Sequence, residues 1–367
     1  MGWSEDETDR YSRQTRLPEW GDERQERLRS ASIAVVGAGG LGSPTLMYLA
    51  AAGVGRLGVI DDDRVAVSNL HRQIIHQSGA VGSPKSASAG QRIHELNPHV
   101  EVVEHADRLL AWNVREVLAP YDVVVDGSDS FATRYLVNDA CRILGIPLVW
   151  ASVLGFDGQL SVFQPGGPCL RCLFPSAPAA GAVPSCAEAG VIGFVPGMLG
   201  VAQAAEAIKL VAGVGQSMAG RVGVYDGLAG RWSELPLQAD PECPTCAPGA
   251  RPELVDLVER CSVPDRALTA DDLSGWLSER QRGERTFTLV DLRDEEEGAL
   301  LPGAVRVPMR VVQDGGAPSG TVVVYCQRGG RSARTLEVLL QAEVDAYHLA
   351  GGAVAWQARS APDRPDH

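Results

Sequence analysis

The chain has 367 residues, of which 45% are hydrophobic and 22% charged, so wholesale disorder is excluded and two domains are expected. Its formal net charge of −13 argues against nucleic acid as a partner, because binding to phosphates requires a basic surface. The first ten residues lack the basic and apolar regions of a secretory signal, which predicts a cytoplasmic protein.

In the first part of the chain, short β-branched runs alternate with segments of helical periodicity. The predicted strands are residues 32–36, 57–60, 123–125 and 148–151. Such alternation is typical of a mostly parallel sheet covered by helices. The most apolar stretch, residues 191–214, contains Glu206 and Lys209, so we expect a buried helix and no membrane span.

A glycine-rich turn follows the first predicted strand. Its sequence is Gly37-Ala38-Gly39-Gly40-Leu41-Gly42, a pattern that lets backbone N–H groups approach a phosphate at a helix N-terminus. Asp61 ends the second predicted strand, where an acid can hold a ribose hydroxyl. These residues fit an NAD enzyme and an ATP enzyme equally, and a tight turn without a ligand is the third interpretation.

Charged residues further along favour a triphosphate over a dinucleotide. A carboxylate that attacks the α-phosphate of ATP requires the charge of the phosphates to be neutralised by Arg, Lys and a metal-binding acid. Arg72, Lys85 and Asp129 supply that set, and Asp63 lies close to Asp61 in the sequence. Each of them alone is also common as a surface charge, so the prediction depends on their combination.

Five segments between about residue 10 and residue 130 resemble the MoeB/ThiF family of adenylating enzymes, which are relatives of the ubiquitin-activating enzymes. The segments are Arg10-Tyr11-Ser12-Arg13-Gln14, Gly37-Ala38-Gly39-Gly40-Leu41-Gly42-Ser43, Ser68-Asn69-Leu70-His71-Arg72-Gln73, Gly82-Ser83-Pro84-Lys85 and Asp126-Gly127-Ser128-Asp129-Ser130. We take the resemblance to extend over residues 11–246. It implies a Rossmann-like ATP-binding domain.

The resemblance also implies roles for individual residues. Asp61 would hold the ribose, Arg72 and Lys85 the phosphates, and Asp129 a Mg²⁺ ion. The implied ATP-binding set is Gly37, Gly39, Gly40, Gly42, Asp61, Asp63, Asn69, Arg72, Lys85 and Asp129. Arg13 would reach into the site of a partner subunit, which implies a homodimer.

The cysteines fall into distinct groups. Cys169 with Cys172, and Cys243 with Cys246, form two Cys-x-x-Cys knuckles, each able to place two thiolates on one tetrahedral ion. The residues alone leave open structural Zn²⁺, two redox-active pairs and four buried thiols, and similar knuckles in the family favour Zn²⁺. Cys186 lies where relatives can link covalently to a carrier protein, with a small, partly buried thiol as the alternative.

A second, smaller α/β unit is predicted after a segment rich in Pro, Ala, Glu and Asp. We place the first domain at residues 1–248, a linker at 249–264 and the second domain at 265–367. The predicted elements of the second domain are helices at residues 270–280 and 332–341 and strands at 286–290 and 321–325.

Between the last predicted strand and helix lies the loop Cys326-Gln327-Arg328-Gly329-Gly330-Arg331-Ser332. Such a loop can wrap N–H groups around the sulfur, while its arginines and the helix dipole favour a thiolate or persulfide anion. With Asp291-Leu292-Arg293 and Pro302-Gly303-Ala304, it resembles a rhodanese domain. Ala299-Leu300-Leu301 stands where rhodaneses commonly carry Gly-His-Ile.

Together the two resemblances imply an enzyme that uses ATP to adenylate the C-terminal glycine of a small ubiquitin-like sulfur-carrier protein ending in Gly-Gly. A Cys326 persulfide, loaded by a cysteine desulfurase or another sulfur donor, would then deliver sulfur to give a thiocarboxylate. Three alternatives stay open: a carrier thioester at Cys186 without sulfur transfer, an NAD-dependent oxidoreductase, and a non-catalytic scaffold.

Overall fold

The computed structural model describes residues 2–178, 190–256, 266–293, 300–313, 316, 319–327, 329–342 and 344–360. The described residues divide into two compact units, one made of residues up to 177 together with 190–256, and the other of residues from 266 onward. Part of the predicted linker packs on the first unit. Leu254 is half-buried there, and Asp256 accepts a hydrogen bond of 2.7 Å from the Ala111 N–H.

The first unit is built on an eight-stranded sheet of order β3-β2-β1-β4-β5-β6-β7-β8. Strands β1 to β5 are parallel and β6 to β8 antiparallel, which confirms a mostly parallel sheet. The strands are β1 (Ser32–Val36), β2 (Arg56–Ile60), β3 (Glu101–His105), β4 (Val123–Asp126), β5 (Leu148–Leu154), β6 (Asp157–Phe163), β7 (Arg221–Asp226) and β8 (Arg231–Pro236).

Two apolar clusters cover the two faces of this sheet. Successive residues of a strand point to opposite faces, so Ile33 and Val35 lie in one cluster, whereas Ala34 and Val36 lie in the other. The helices are α1 (Glu5–Thr15), α2 (Gly21–Ser30), α3 (Gly42–Ala52), α4 (Lys85–Leu96), α5 (Val114–Leu118), α6 (Phe131–Leu144), α7 (Leu170–Leu173) and α8 (Phe194–Ala212). Helices α3, α4 and α8 contribute to the first cluster, and α5 and α6 to the second.

Helix α8 corresponds to the most apolar stretch of the sequence. Within the described residues it is the one helix whose length and composition would allow it to cross a membrane. Val195, Leu199 and Ala204 of α8 are buried in the first apolar cluster, together with residues from one face of strands β1, β2 and β4. The predicted helix is therefore present and one of its faces is buried in the core, whereas Phe194 and Met198 are exposed.

The second unit contains a five-stranded parallel sheet of order β11-β10-β12-β13-β9. Its first helix begins with a capping box, because the Thr269 hydroxyl accepts from the Asp272 N–H and the Asp272 carboxylate accepts from the Thr269 N–H. The elements are β9 (Ala267–Leu268), α9 (Ala270–Gln281), β10 (Thr288–Asp291), β11 (Ala304–Arg306), α10 (Met309–Gln313), β12 (Val322–Tyr325), α11 (Gly330–Gln341), β13 (Ala346–Leu349) and α12 (Gly352–Ser360).

Candidate active sites

A cavity of about 250 Å³ opens at the carboxyl ends of β1, β2 and β4. Strand β1 pairs with β2 on one side and with β4 on the other. The cavity therefore lies at the switch point of the sheet, where α/β folds bind ligands. Most of the predicted ATP-binding residues line it: Gly37, Gly39, Gly40, Asp61, Asp63, Arg72, Lys85 and Asp129. Gly42 and Asn69 are not among the lining residues.

Gly37 and Gly42 allow the turn above β1 to close tightly. Gly37 has a φ of +90°, which disfavours any side chain, and a Cβ there would meet Gly127 O at 3.0 Å. A Cβ on Gly42 would lie 1.8 Å from Gly37 O. Gly42 therefore lets the start of α3 pack against the turn, and its predicted role in ATP binding stays a prediction.

Asp61 holds this turn from the adjacent strand. Its carboxylate accepts hydrogen bonds from the N–H groups of Ala38 at 2.8 Å and Asp63 at 2.9 Å. Burial raises the pKa of Asp61, and the positive charge of Lys85 and the two N–H groups oppose that shift. The carboxylate thus holds the glycine-rich turn in addition to facing the cavity.

Lys85 brings a buried positive charge to the cavity. Its side chain is 6% exposed, and Nζ lies 2.9 Å from Asp63 Oδ2 and 4.0 Å from Asp61 Oδ1. Because it is the first residue of α4, the helix dipole opposes its charge. The two carboxylates compensate, so a charged lysine can lie at the cavity wall although it is buried.

Arg72 is presented to the cavity by the segment that contains Asn69. The Asn69 carbonyl accepts from the N–H groups of Arg72 at 3.1 Å and Gln73 at 3.0 Å, which forms a turn at this point. The half-buried Arg72 guanidinium donates to Ser68 O at 3.4 Å and lines the cavity. Asn69 therefore shapes the site through its backbone.

Asp129 is an exposed carboxylate on the loop after β4, and the loop is held by two buried charged groups. Asp126 accepts from the Ser128 N–H and hydroxyl at 2.9 and 2.6 Å. Burial raises the pKa of Asp126, while Arg134 acts in the opposite direction. Arg134, which the sequence analysis did not identify, donates to Ser128 O at 3.0 Å and lines the cavity.

His76 is a second residue that the sequence analysis missed. It is buried, its Nε2 lies 2.9 Å from Ala38 O, and its Nδ1 lies 2.9 Å from Ser88 Oγ. Since a carbonyl oxygen only accepts, Nε2 carries the proton and Nδ1 accepts from the Ser88 hydroxyl. Burial lowers the pKa of His76, which keeps the ring neutral. Asp61 thus accepts from the Ala38 N–H, and His76 donates to the Ala38 carbonyl oxygen.

The four knuckle cysteines meet at one point, because their sulfurs all lie within 4.8 Å of one another. Cys169 and Cys243 are 3.6 Å apart, and Cys172 and Cys246 are 3.2 Å apart. Tetrahedral Zn²⁺ with sulfur at about 2.3 Å requires sulfurs roughly 3.8 Å apart, so the donor set fits this ion. Burial raises the pKa of Cys169 to about 12, which a bound cation would reverse.

Asp139 links the two knuckles behind the sulfurs. Its carboxylate accepts from Arg171 at 2.7 and 3.0 Å and from the Thr245 hydroxyl at 3.2 Å. Arg171 belongs to the first knuckle and Thr245 to the second, so one buried acid ties both segments to α6. No pattern in the sequence predicts this contact of Asp139 with the two knuckles.

Two other predicted residues, Cys186 and Arg13, are not among the residues that line the cavity in the described part of the chain. Cys186 falls outside the described residues. Arg13 is exposed in the last turn of α1 and does not line the cavity of its own chain.

In the second unit, Cys326 lies directly after β12 and is 2% exposed. The Gly329 N–H donates to its sulfur at 3.2 Å, as predicted for the loop. Gly329 has a φ of +93°, a left-handed conformation that turns the chain into α11. Arg331 lies in the first turn of α11, whereas Arg328 is outside the described residues.

A buried ion pair supports the Cys326 loop. Asp291 and Arg293 are joined at 2.8 Å, and Arg293 donates to Gln327 Oε1 at 2.8 Å. Burial raises the pKa of Asp291, but the hydrogen bonds from Arg293 and Tyr325 outweigh it and lower the pKa overall. Tyr325 Oη also accepts from the Leu301 N–H at 2.9 Å. Leu301 is therefore anchored through its backbone N–H, independently of its side chain, and Ala299 lies outside the described residues.

Comparisons with known proteins agree with this geometry. The ThiF family matches residues 11–245, and the rhodanese-like domain matches residues 273–359. The chain is 51% identical over 271 residues to the sulfur carrier protein adenylyltransferase of Thermus thermophilus, covering 72% of this chain and 100% of that one. It is 40% identical over 382 residues to the probable adenylyltransferase/sulfurtransferase MoeZ of Mycobacterium tuberculosis, covering 98% and 95%.

A solved structure supports the fold. MccB of E. coli matches with a TM-score of 0.59 at 20% identity, covering 67% of this chain and 74% of that one. The predicted combination of an adenylating domain and a rhodanese-like domain is confirmed. The chain belongs to the ThiF family and is an adenylyltransferase with a C-terminal rhodanese-like sulfurtransferase domain.

Proposed function

We propose that the enzyme uses ATP to adenylate the C-terminal glycine of a small ubiquitin-like sulfur-carrier protein and then converts that glycine to a thiocarboxylate. The adenylation step is supported chiefly by one observation: the buried Lys85 lines the same cavity as Arg72 and Asp129. The name of the Thermus thermophilus relative, which refers to a sulfur carrier protein, supports this substrate. Further support comes from the full-length match to MoeZ.

In the adenylation step, an oxygen of the carrier carboxylate attacks the α-phosphorus of ATP and pyrophosphate departs. Lys85 and Arg72 neutralise the charge that gathers on the phosphates. The buried position of Lys85 strengthens its effect, since the surroundings are less polar than water. Asp129 would hold Mg²⁺, which prefers carboxylate oxygens and would add further neutralising charge when bound.

The position of these charges favours ATP over NAD. Asp61, the acid that would hold a ribose in either case, already accepts two backbone N–H groups. The cations Arg72, Lys85 and Arg134 all line the same cavity. A triphosphate carries more negative charge than a dinucleotide, so it matches this set better.

In the sulfur-transfer step, the terminal sulfur of a Cys326 persulfide attacks the acyl carbon of the adenylate and AMP leaves. The product is an acyl disulfide between the carrier and Cys326. A thiol, either Cys186 or an external reductant, then attacks Cys326 Sγ and releases the carrier thiocarboxylate. The Cys326 thiol is left in a disulfide with the attacking thiol, and a second external thiol reduces this disulfide by exchange. A cysteine desulfurase or another sulfur donor then reloads Cys326 as the persulfide.

The remaining assignments complete the proposal. The knuckle cysteines would hold a structural Zn²⁺, which supplies folding free energy and has no open position for catalysis. We further propose a cytoplasmic homodimer in which the exposed Arg13 reaches the cavity of the partner subunit.

Two substitutions test the two steps separately. Asp129→Asn should abolish the carrier-dependent exchange of labelled pyrophosphate into ATP. Cys326→Ala should leave that exchange intact and abolish the thiocarboxylate, measured by mass spectrometry of the carrier. A covalent carrier adduct at Cys186, formed equally well by the Cys326→Ala variant, would instead support the thioester alternative.

A further inference from the structure

A buried histidine lies behind the Cys326 loop. His348 belongs to β13, which pairs with β12, and it is 2% exposed. Its Nδ1 lies 3.5 Å from Ser332 Oγ, and Ser332 Oγ lies 3.7 Å from Cys326 Sγ. The three side chains therefore form a polar chain that leads from the imidazole to the sulfur.

The surroundings of His348 determine where its proton lies. Burial lowers the pKa of His348, so the ring is neutral and carries one proton. Its Nε2 is buried and has no hydrogen-bond partner among the described residues. A proton on Nε2 would leave a buried donor unpaired, which is rare in proteins. A proton on Nδ1 is instead donated to Ser332.

The Ser332 hydroxyl can donate one hydrogen bond and accept two. In the thiol form of Cys326, the Ser332 hydroxyl donates to Gly329 O at 3.0 Å and accepts from the thiol. In a thiolate or persulfide the sulfur has no proton and requires donors. The Gly329 N–H supplies one at 3.2 Å, and rotation of the Ser332 hydroxyl toward the sulfur would supply a second.

We propose that His348 is a positioning residue for sulfur transfer: it donates Nδ1–H to Ser332, so that Ser332 donates its hydroxyl proton to the anionic sulfur of Cys326. This inference rests on the proposed function of Cys326 as the sulfur-carrying nucleophile. His348 itself touches neither the sulfur nor a substrate. It acts through Ser332, which predicts that the effects of the two residues depend on each other.

The test is the rate at which iodoacetamide alkylates Cys326 in the full chain, measured on the Cys326 peptide by mass spectrometry. Ser332→Ala and His348→Leu should each slow alkylation at about pH 7 roughly tenfold, the effect of losing a hydrogen bond to an anionic group. The double variant should be no slower than Ser332→Ala, because His348 acts through Ser332. His348→Asn keeps an N–H donor near the position of Nδ1 and should restore most of the rate.

A second pH separates this role from a folding defect. At about pH 10 a thiol is largely ionised without assistance, so all four variants should react at nearly the wild-type rate. An unchanged rate for His348→Leu at pH 7, or a further loss in the double variant, would overturn the proposal. Equal losses at both pH values would also overturn it, since they indicate altered access. Alkylation needs neither ATP nor carrier, so this result is independent of the adenylation proposal.

Discussion

Lys85→Met removes a buried charge from the nucleotide cavity while keeping the length of the side chain. In the wild type, Lys85 Nζ lies 2.9 Å from Asp63 and 4.0 Å from Asp61. The substitution should lower both the adenylation rate and the stability of the first unit. Comparing the loss of adenylation rate with the loss of free energy of unfolding tests whether Lys85 mainly stabilises the transition state or the folded protein.

The effect on stability should be small. The Asp63 side chain is 65% exposed, so it stays hydrated without Lys85, and such a pair contributes about 1 kcal/mol or less. Asp61 loses a cation that opposes the burial-induced rise of its pKa, but it keeps the N–H groups of Ala38 and Asp63. We expect the free energy of unfolding to fall by about 1 kcal/mol.

The effect on the rate should be larger. Removal of one preorganised group that stabilises a transition-state charge typically costs about 3–4 kcal/mol, or roughly a hundredfold to a thousandfold in rate. Carrier-dependent pyrophosphate exchange should fall by that factor at a temperature where the variant is fully folded. Lys209→Met is a matched control, because Lys209 pairs with Glu206 outside the cavity. Exchange by Lys85→Met within about threefold of the wild type would show that Lys85 does not stabilise the transition state of adenylation.

Three further predictions concern the supporting contacts. His76→Gln can place an N–H donor near Ala38 O and should retain adenylation, whereas His76→Asn should slow it about tenfold, measured by pyrophosphate exchange; equal rates would exclude a role for the bond to Ala38. Cys246→Ser should lower the bound zinc measured by atomic emission and destabilise the first unit, and unchanged zinc content would contradict the four-sulfur site. The lowered pKa of Asp291 contributes stability above about pH 4 that is lost as the pH falls through the folded-state pKa. Asp291→Asn should therefore have a lower free energy of unfolding at neutral pH and should lose less of it on acidification. Chemical denaturation at several pH values measures this, and a free energy of unfolding that falls equally with pH in both proteins would contradict it.

Local patterns made much of the fold predictable. Strands β1, β2 and β4 are short β-branched runs that lie in the sheet interior and are followed by glycine or acid, so both their position and their role are visible in the sequence. The antiparallel strands were not predicted. All six residues of β8 are exposed, so burial imposes no alternation of apolar and polar residues on that strand.

The site was predictable where residues act through their own side chains. Lys85, Arg72 and Asp129 carry charges at recognisable positions and line the cavity. His76 was missed because its partner Ala38 is 38 positions away and offers only a carbonyl oxygen. The role of Asn69 in ATP binding stays a prediction, and the turn that its carbonyl forms with the N–H groups of Arg72 and Gln73 was not predicted.

The central claim is that the carrier carboxylate itself attacks the α-phosphorus of ATP. A carrier whose terminal carboxylate bears heavy oxygen, incubated with the enzyme, ATP, Mg²⁺ and a persulfide source, tests it by mass spectrometry of the nucleotide product. Attack by the carrier carboxylate should give AMP that contains one heavy oxygen together with a thiocarboxylated carrier. Unlabelled AMP, or ADP accompanied by labelled phosphate, would contradict it.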